Sequence, residues 1–337
     1  MIKSDSAYKN LILCFFVLLF MHIALYNTPI LIPAYIVIPA VIAYSIYVFG
    51  ISVSLMFCAG SVIFNAVTSW LLPGFNWYVS IAETLSIAIP GIACGLCISK
   101  KLKAADTLIT TTASAVVFPL GYLAYAKYVH EFDIAKEISD TITDTIAQQF
   151  NLIKTVYPEI SEVFAENEGE IFALLGLYVP GLMPCVLIVL CIIYSVIIYA
   201  AAKALCRRKM IANSFFIQGL DCVYLPKPST AALLVSMLFA VMETNSIVFM
   251  AAINFIIVIL VFYMLQGLSL IEYNLKQKNF NSLTRLFIIL GIIVALTVIS
   301  VIAPILNPVF ALAILGVSDS AGDYRKLNKN KDEFNEN

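Results

Sequence analysis

Glu83 is a carboxylate set inside an apolar run, in Ser80-Ile-Ala-Glu83-Thr84. A charge in hydrocarbon is costly unless it is paired, so an ionisable residue in such a run is a candidate for binding a cation or a proton. Pro90-Gly91 follows two turns later. A proline removes one helix hydrogen bond and so frees a backbone carbonyl. Trp77 and Tyr78 precede Glu83 and have the amphipathic rings typical of a membrane–water interface. Asn65 lies in the apolar run before it. Glu83, Asn65 and Trp77 are therefore the candidate ligand-binding set. The alternative is structural: Ser or Thr neighbours satisfy the carboxyl, and Asn65, like Asn254, bonds across helices. His22, Glu243 and Glu272 lie near the ends of apolar runs and are expected to be structural or to reach water.

Two spacings invite chemistry and are read as packing. Gly91-Ile-Ala-Cys-Gly95 is a GxxxG, which lets helix backbones approach closely. Cys94-Gly-Leu-Cys97 has CxxC spacing, but it lies in an apolar run with no nearby His or second Cys pair. The sequence has no phosphate-binding loop, no HExxH and no GxSxG. No catalytic residue, metal or cofactor is expected, and any active transport would draw its energy from another subunit or an ion gradient.

The elements that must hold these residues are membrane helices. The chain is 61% hydrophobic and 12% charged, with mean hydropathy +0.95. A soluble domain is usually about 45–50% apolar and about 25% charged. A spanning helix needs about 20 mostly apolar residues. That length predicts ten segments: 10–26, 30–48, 51–72, 78–98, 106–127, 171–205, 229–244, 247–270, 284–302 and 303–317. The seventh is short, and the tenth carries Pro304 and Pro308, so eight full spans is the alternative. Leu11–Tyr26 runs into Asn27-Thr28-Pro29 without a small-residue cleavage site and is read as a retained helix.

Charge orients the segments. Seventeen of the twenty Lys and Arg fall in alternate loops, which ten crossings place in the cytoplasm together with both termini. Ten of the twenty-one acidic residues fall in the loop 128–170, on the other side. There Ile134, Ile138, Ile142, Ile146, Phe150 and Ile153 recur at helical spacing, which predicts a helix over 132–153 with its Ile stripe docked on the bundle. Pro158 ends that helix or begins a second short piece. Most of the eight Cys lie inside apolar runs, and this loop has none, so no disulfide framework is expected.

The C-terminal third reads Phe216…Tyr224-Leu225-Pro226, then Gln266-Gly267-Leu268, then Leu315-Gly316-Val317-Ser318-Asp319…Asp323-Tyr324-Arg325-Lys326. This order resembles the YybS family of uncharacterised bacterial integral membrane proteins, over residues 10–326 apart from the acidic loop. The family often has Trp where this chain has Tyr224. The resemblance makes Pro226, Gln266, Gly267, Asp319 and Arg325 family-motif residues. That family in turn resembles the S components of energy-coupling-factor transporters, substrate-binding subunits that work with a coupling subunit and ATPases. It implies an S-component-like bundle from residues 1–127 and 171–210; the charge and hydropathy pattern adds an extracytoplasmic acidic amphipathic helical loop at 128–170, a C-terminal transmembrane extension at 211–317 and a charged cytoplasmic tail at 318–337. S components commonly carry Ala-x-x-x-Ala on the first helix, where this chain has only Ala24.

The expected protein is thus an all-α, polytopic membrane bundle. It binds or transports a small molecule, or it is a non-transporting scaffold or regulator that recruits envelope partners. Its surroundings are the lipid bilayer and a coupling or other membrane subunit, with no nucleic acid.

Overall fold

The structure, a computed structural model, describes residues 12, 14–17, 31–71, 77–129, 131–156, 158–212, 220–242, 246–303 and 307–325. Its elements there are helices: α1 (Leu31–Phe49), α2 (Ile51–Leu71), α3 (Trp77–Ser99), α4 (Ala104–Val129), α5 (Ile134–Val156), α6 (Pro158–Ala212), α7 (Lys227–Met242), α8 (Ser246–Gln277), α9 (Ser282–Ile302) and α10 (Pro308–Gly322). A 3₁₀ turn at Leu220–Cys222 precedes α7. Among the described residues, six helices are long and apolar enough to cross a membrane: Ile51–Leu71, Ser80–Ser99, Ala104–Val129, Tyr178–Arg207, Ile247–Gln277 and Ser282–Ser300. Lys227–Met242 and Pro308–Gly322 are shorter apolar helices, in line with the weakness expected of the seventh and tenth segments, and Pro33–Phe49 is also among the shorter ones, although its sequence segment 30–48 carries no such expectation. Most of the segment expected at 10–26 lies outside the described residues.

The chain divides into two compact units, one of Met1–Val116, Leu190–Ala231 and Ile259–Asn337, the other of Val117–Val189 and Ala232–Val258. In the first unit, α2 is inverted relative to a soluble helix. Its buried stripe is Ser54, Cys58, Ser61, Asn65 and Ser69, while Leu55, Met56, Ile63, Val67 and Trp70 are exposed. Small polar residues inside and large apolar ones outside suit a helix whose solvent is lipid, where hydrogen bonding and close packing drive association. Gly50, at φ +86°, makes the turn between α1 and α2, a backbone shape that glycine adopts without steric cost.

The GxxxG of α3 packs within the chain. A Cβ on Gly91 would lie 2.7 Å from the Pro39 carbonyl oxygen, and one on Gly95 would lie 2.8 Å from Ala43 Cα. Small residues on α3 thus meet a Pro39–Ala43 strip on α1 at near backbone contact. A second core joins Ala43, Cys94, Ala104, Leu108, Ile198, Ala202, Cys206 and Val223 from five parts of the chain. Cys94 and Cys97 are both buried as small core side chains, and no cluster of three metal-ligating groups occurs among the described residues.

In the second unit, Asp133 opens α5. Its side chain accepts from the Lys136 amide at 3.2 Å, and Lys127 pairs with it at 2.8 Å. The Lys127 ammonium and these amides hold the Asp133 carboxyl below its usual range. The Ile stripe is not the buried line. Ser139 is 2% exposed, whereas Ile138 is 37% exposed and Ile134, Ile142 and Ile146 are intermediate. Phe150 and Ile153 lie outside the described side chains. Pro158 does not open a short piece. It occupies the first position of α6, where its missing N–H is no loss. The acidic stretch continues in that one helix of 55 residues. Deeper in the unit, Asn254 Nδ2 donates to the Gly181 carbonyl at 2.8 Å, between Pro180 and Pro184 on α6.

Candidate functional site

Glu83 sits near the start of α3, roughly 9 Å along it from Trp77 at 1.5 Å per residue. Its Oε1 accepts from the Tyr35 hydroxyl at 2.7 Å, across to α1. The Tyr194 hydroxyl on α6 donates to the Tyr35 backbone carbonyl at 2.9 Å. Two tyrosines and a carboxylate from three helices therefore form one cluster. Among the described residues, Tyr35 is the partner of the Glu83 carboxylate, and Oε2 keeps its acceptor sites. The side chain is partly exposed.

Asn65 faces another side of α3. It is buried, and its Nδ2 donates to Thr84 Oγ1 at 2.6 Å. One turn further along α2, Ser69 donates to Ser80 at 2.6 Å, and at the start of the helix Ser45 donates to Ser54 at 2.9 Å. These bonds staple α2 to α3 and α1. Trp77 opens α3, and its side chain lies outside the described part. Glu83 on α3 and Asn65 on α2 thus use different neighbours, Tyr35 and Thr84. The tyrosine partners lie 48 and 111 positions from Glu83 in the sequence, and nothing local marks them.

A second polar centre joins the C-terminal motif residues. Arg325 is 4% exposed and Asp319 is fully buried. All five guanidinium N–H groups have acceptors. Nε and Nη2 reach the Asp319 carboxylate, Nη1 reaches the Asp221 carbonyl at 2.7 Å and Ser269 Oγ at 2.6 Å, and Nη2 also reaches the Val223 carbonyl at 2.8 Å. Gln266 bridges the rest. Its Nε2 donates to Asp319 at 2.9 Å, and its Oε1 accepts from the Leu225 amide at 2.9 Å. Tyr224 donates to the Ser320 carbonyl at 3.0 Å. Pro226 is exposed, and its carbonyl receives the amide and hydroxyl of Ser229 at the start of α7.

Glycines make this centre possible. A Cβ on Gly267 would fall on the Leu312 carbonyl oxygen, and one on Gly316 would fall on the Tyr263 carbonyl oxygen. The backbones of α8 and α10 therefore touch at both positions. Asn307 and Pro308 start α10, Asn307 accepting from the Val309 amide at 2.9 Å, and Asp323 in the left-handed region ends it and turns Arg325 back inward. Gln266, Gly267, Asp319 and Arg325 thus meet as one clasp, in which Pro226 adjoins the tied loop. Sequence reasoning singled out these residues by their order but not Ser269, nor the backbone carbonyls that Arg325 grips.

Asp221 has a second role. Its Oδ2 lies 2.7 Å from Lys276 Nζ on α8. Burial alone would raise the Asp221 pKa, but the bond to Lys276, with its positive charge and that of Lys203, brings it below the usual carboxylate range.

No curated protein and no solved structure matches the chain. A family model does match, over residues 14–319, a stretch that contains Glu83, Asn65, Gln266 and Asp319 and stops short of Arg325. The protein is a multi-pass helical membrane protein, and it belongs to the family described as "Predicted membrane protein (DUF2232)".

Proposed function

We propose that the chain binds a small molecule bearing a positive charge, or a proton, at Glu83, and that this binding serves transport across the bilayer. The open oxygen of a carboxylate on a membrane-spanning helix carries this reading, because such a group is retained at a cost unless a ligand or partner meets its charge. Tyr35 and Tyr194 orient it. Asn65 supports the site indirectly by fixing α2 on α3, and Trp77, at the start of α3, completes the candidate set. The proposal includes no catalytic step and no cofactor.

In this reading the bundle is YybS-like and S-component-like, has ten membrane segments in the cell membrane, and keeps both termini in the cytoplasm. Energy comes from a coupling or other membrane subunit. A second reading, a scaffold or regulator for envelope partners, draws support from the polar stripe of α2, whose bonds close inside the bundle.

A thermal-shift screen of wild type and Glu83→Gln against amines, vitamins and nucleobases tests the proposal. The expected result is a compound that stabilises wild type and not the variant. A compound that stabilises both equally removes Glu83 from the site, and a wild type that responds to nothing favours the scaffold.

A further inference from the structure

The turn from α4 into α5 sets an ion pair beside an apolar cavity. Glu131, at φ +54°, takes the left-handed shape that often ends a helix, and the Phe132 amide donates to the Ala126 carbonyl at 3.0 Å. The chain folds back at once, so that Asp133 caps α5 and meets Lys127 at 2.8 Å. Both residues line a cavity of about 230 Å³ that lies within the second unit. Leu123 of α4, Ile134 of α5, and Met183 and Pro184 of α6 supply its apolar walls. Lys127 is near the end of the span Ala104–Val129, and Pro184 is in the first turns of the span Tyr178–Arg207, which puts the cavity near the ends of two spans.

The charges select the occupant. Lys127 and Asp133 keep 55% and 36% of their side-chain surface open, so a ligand can reach the pair. Exposed ion pairs hold together weakly, and a polar group can enter this one without first breaking a strong bond. Asp133 stays in place because it caps α5. A lone carboxylate entering here gains Lys127 and is repelled by Asp133, and a lone ammonium meets the reverse. A neutral alkyl chain strips water from both ions and returns no hydrogen bond. A zwitterion leaves no charge unmatched: its carboxylate lies on Lys127, its ammonium on Asp133, and its apolar body against Leu123, Ile134, Met183 and Pro184. An ammonium has three donors and a carboxylate has several lone pairs, so each residue can hold a second partner beside the first. The cavity is smaller than the roughly 300–1,000 Å³ of sites for drug-sized ligands, which favours a small free molecule over a two-chain lipid.

We propose that this cavity binds an apolar α-amino acid as its zwitterion, at residues that the Glu83 site does not use. The test places the full chain in phosphatidylcholine nanodiscs and measures equilibrium binding of radiolabelled leucine, methionine and phenylalanine. At least one should bind; with leucine, for example, the bound label is then challenged with the two halves of the ligand. Isocaproate has the carboxylate without the ammonium, and isopentylamine has the ammonium without the carboxylate. Neither should displace the label at concentrations where unlabelled leucine does. Displacement reads this cavity alone, so an amine that raises Tm through Glu83 does not confuse the result. Lys127→Gln with Asp133→Asn keeps a capping side chain on α5 and should weaken amino-acid binding about tenfold or more, the loss of at least one charge-assisted hydrogen bond. Glu137→Gln, one turn along α5, removes an exposed charge that does not line the cavity and should leave binding intact. The proposal is overturned if none of the three amino acids binds wild type, if isocaproate competes as well as leucine, or if the Lys127/Asp133 variant binds like wild type. It is equally overturned if phosphatidylethanolamine added to the nanodiscs displaces the label, which would make a lipid headgroup the zwitterion.

Discussion

Replacing Arg325 with Met removes one side chain and strands at least four partners. The Asp319 carboxylate loses its counter-ion, Ser269 loses its bond, and the Asp221 and Val223 carbonyls lose their donors. Breaking a buried ion pair from one side costs about 3–5 kcal/mol, because the remaining charge is left uncompensated. At about 2–4 °C per kcal/mol for chains of a few hundred residues, Tm should fall by roughly 6–20 °C. Asp319→Leu should cost a similar amount, since it leaves a buried guanidinium without its anion. The double variant separates the contributions. It removes both charges, but the two carbonyls remain unpaired, at about 1–3 kcal/mol each. It should therefore melt below wild type, yet its loss should be clearly smaller than the sum of the single losses. Thermal unfolding of the four proteins in one detergent measures this cycle. Single variants within 2 °C of wild type, or losses that simply add, would refute the clasp as an energetic unit.

The helix contacts give a sharper contrast: Gly267→Ala and Gly316→Ala should lower Tm severely, because the added methyl meets backbone, while Gly60→Ala and Gly291→Ala, with nothing within 4 Å, should not. On α5, Ile142→Asp should destabilise more than Ile138→Asp, whereas an evenly buried stripe requires equal losses; a melting curve decides between them. Asp221 has a depressed folded-state pKa, so its stabilisation is present above the unfolded value of about 3.9 and is lost as pH falls through the folded one. Lys276→Gln should flatten the fall of the Tm profile as pH drops below about 4. A Cys placed at Glu137 should react with an impermeant maleimide in intact cells, and one at Lys100 only after lysis. The opposite pattern would invert the orientation.

The apolar runs that became α2, α3, α4, α8 and α9 were legible because a membrane helix announces itself by length. Which face of each turns inward was not. On α2 the inward residues are Ser54, Asn65 and Ser69, and a soluble-protein reading would have turned them outward. On α5 the periodicity of Ile located the helix, but among its described side chains the buried one is Ser139, while Ile138 is exposed and Ile134, Ile142 and Ile146 are half-buried. Glu83 stood out by charge, whereas its partner Tyr35 is one of seventeen tyrosines and is marked only by the crossing of α1 and α3. The order Gln266-Gly267…Gly316…Asp319…Arg325 was visible, but its cause was not. Glycines that bring two backbones together, and an arginine folded back by a left-handed residue, become one device only in three dimensions.

Seven of the eight thiols are buried, and Cys222 is the one that is partly open. It stands between Asp221 and Val223, the two residues whose carbonyls hold Arg325. The protein therefore carries its own gauge of the clasp. Alkylation of Cys222 adds bulk where the loop is pinned, and a rate that rises in Arg325→Met would tie its access to the grip of the guanidinium. Timing that one modification in native membranes would follow the closure of the C-terminal helices without an engineered probe, and in the presence of any added lipid or partner.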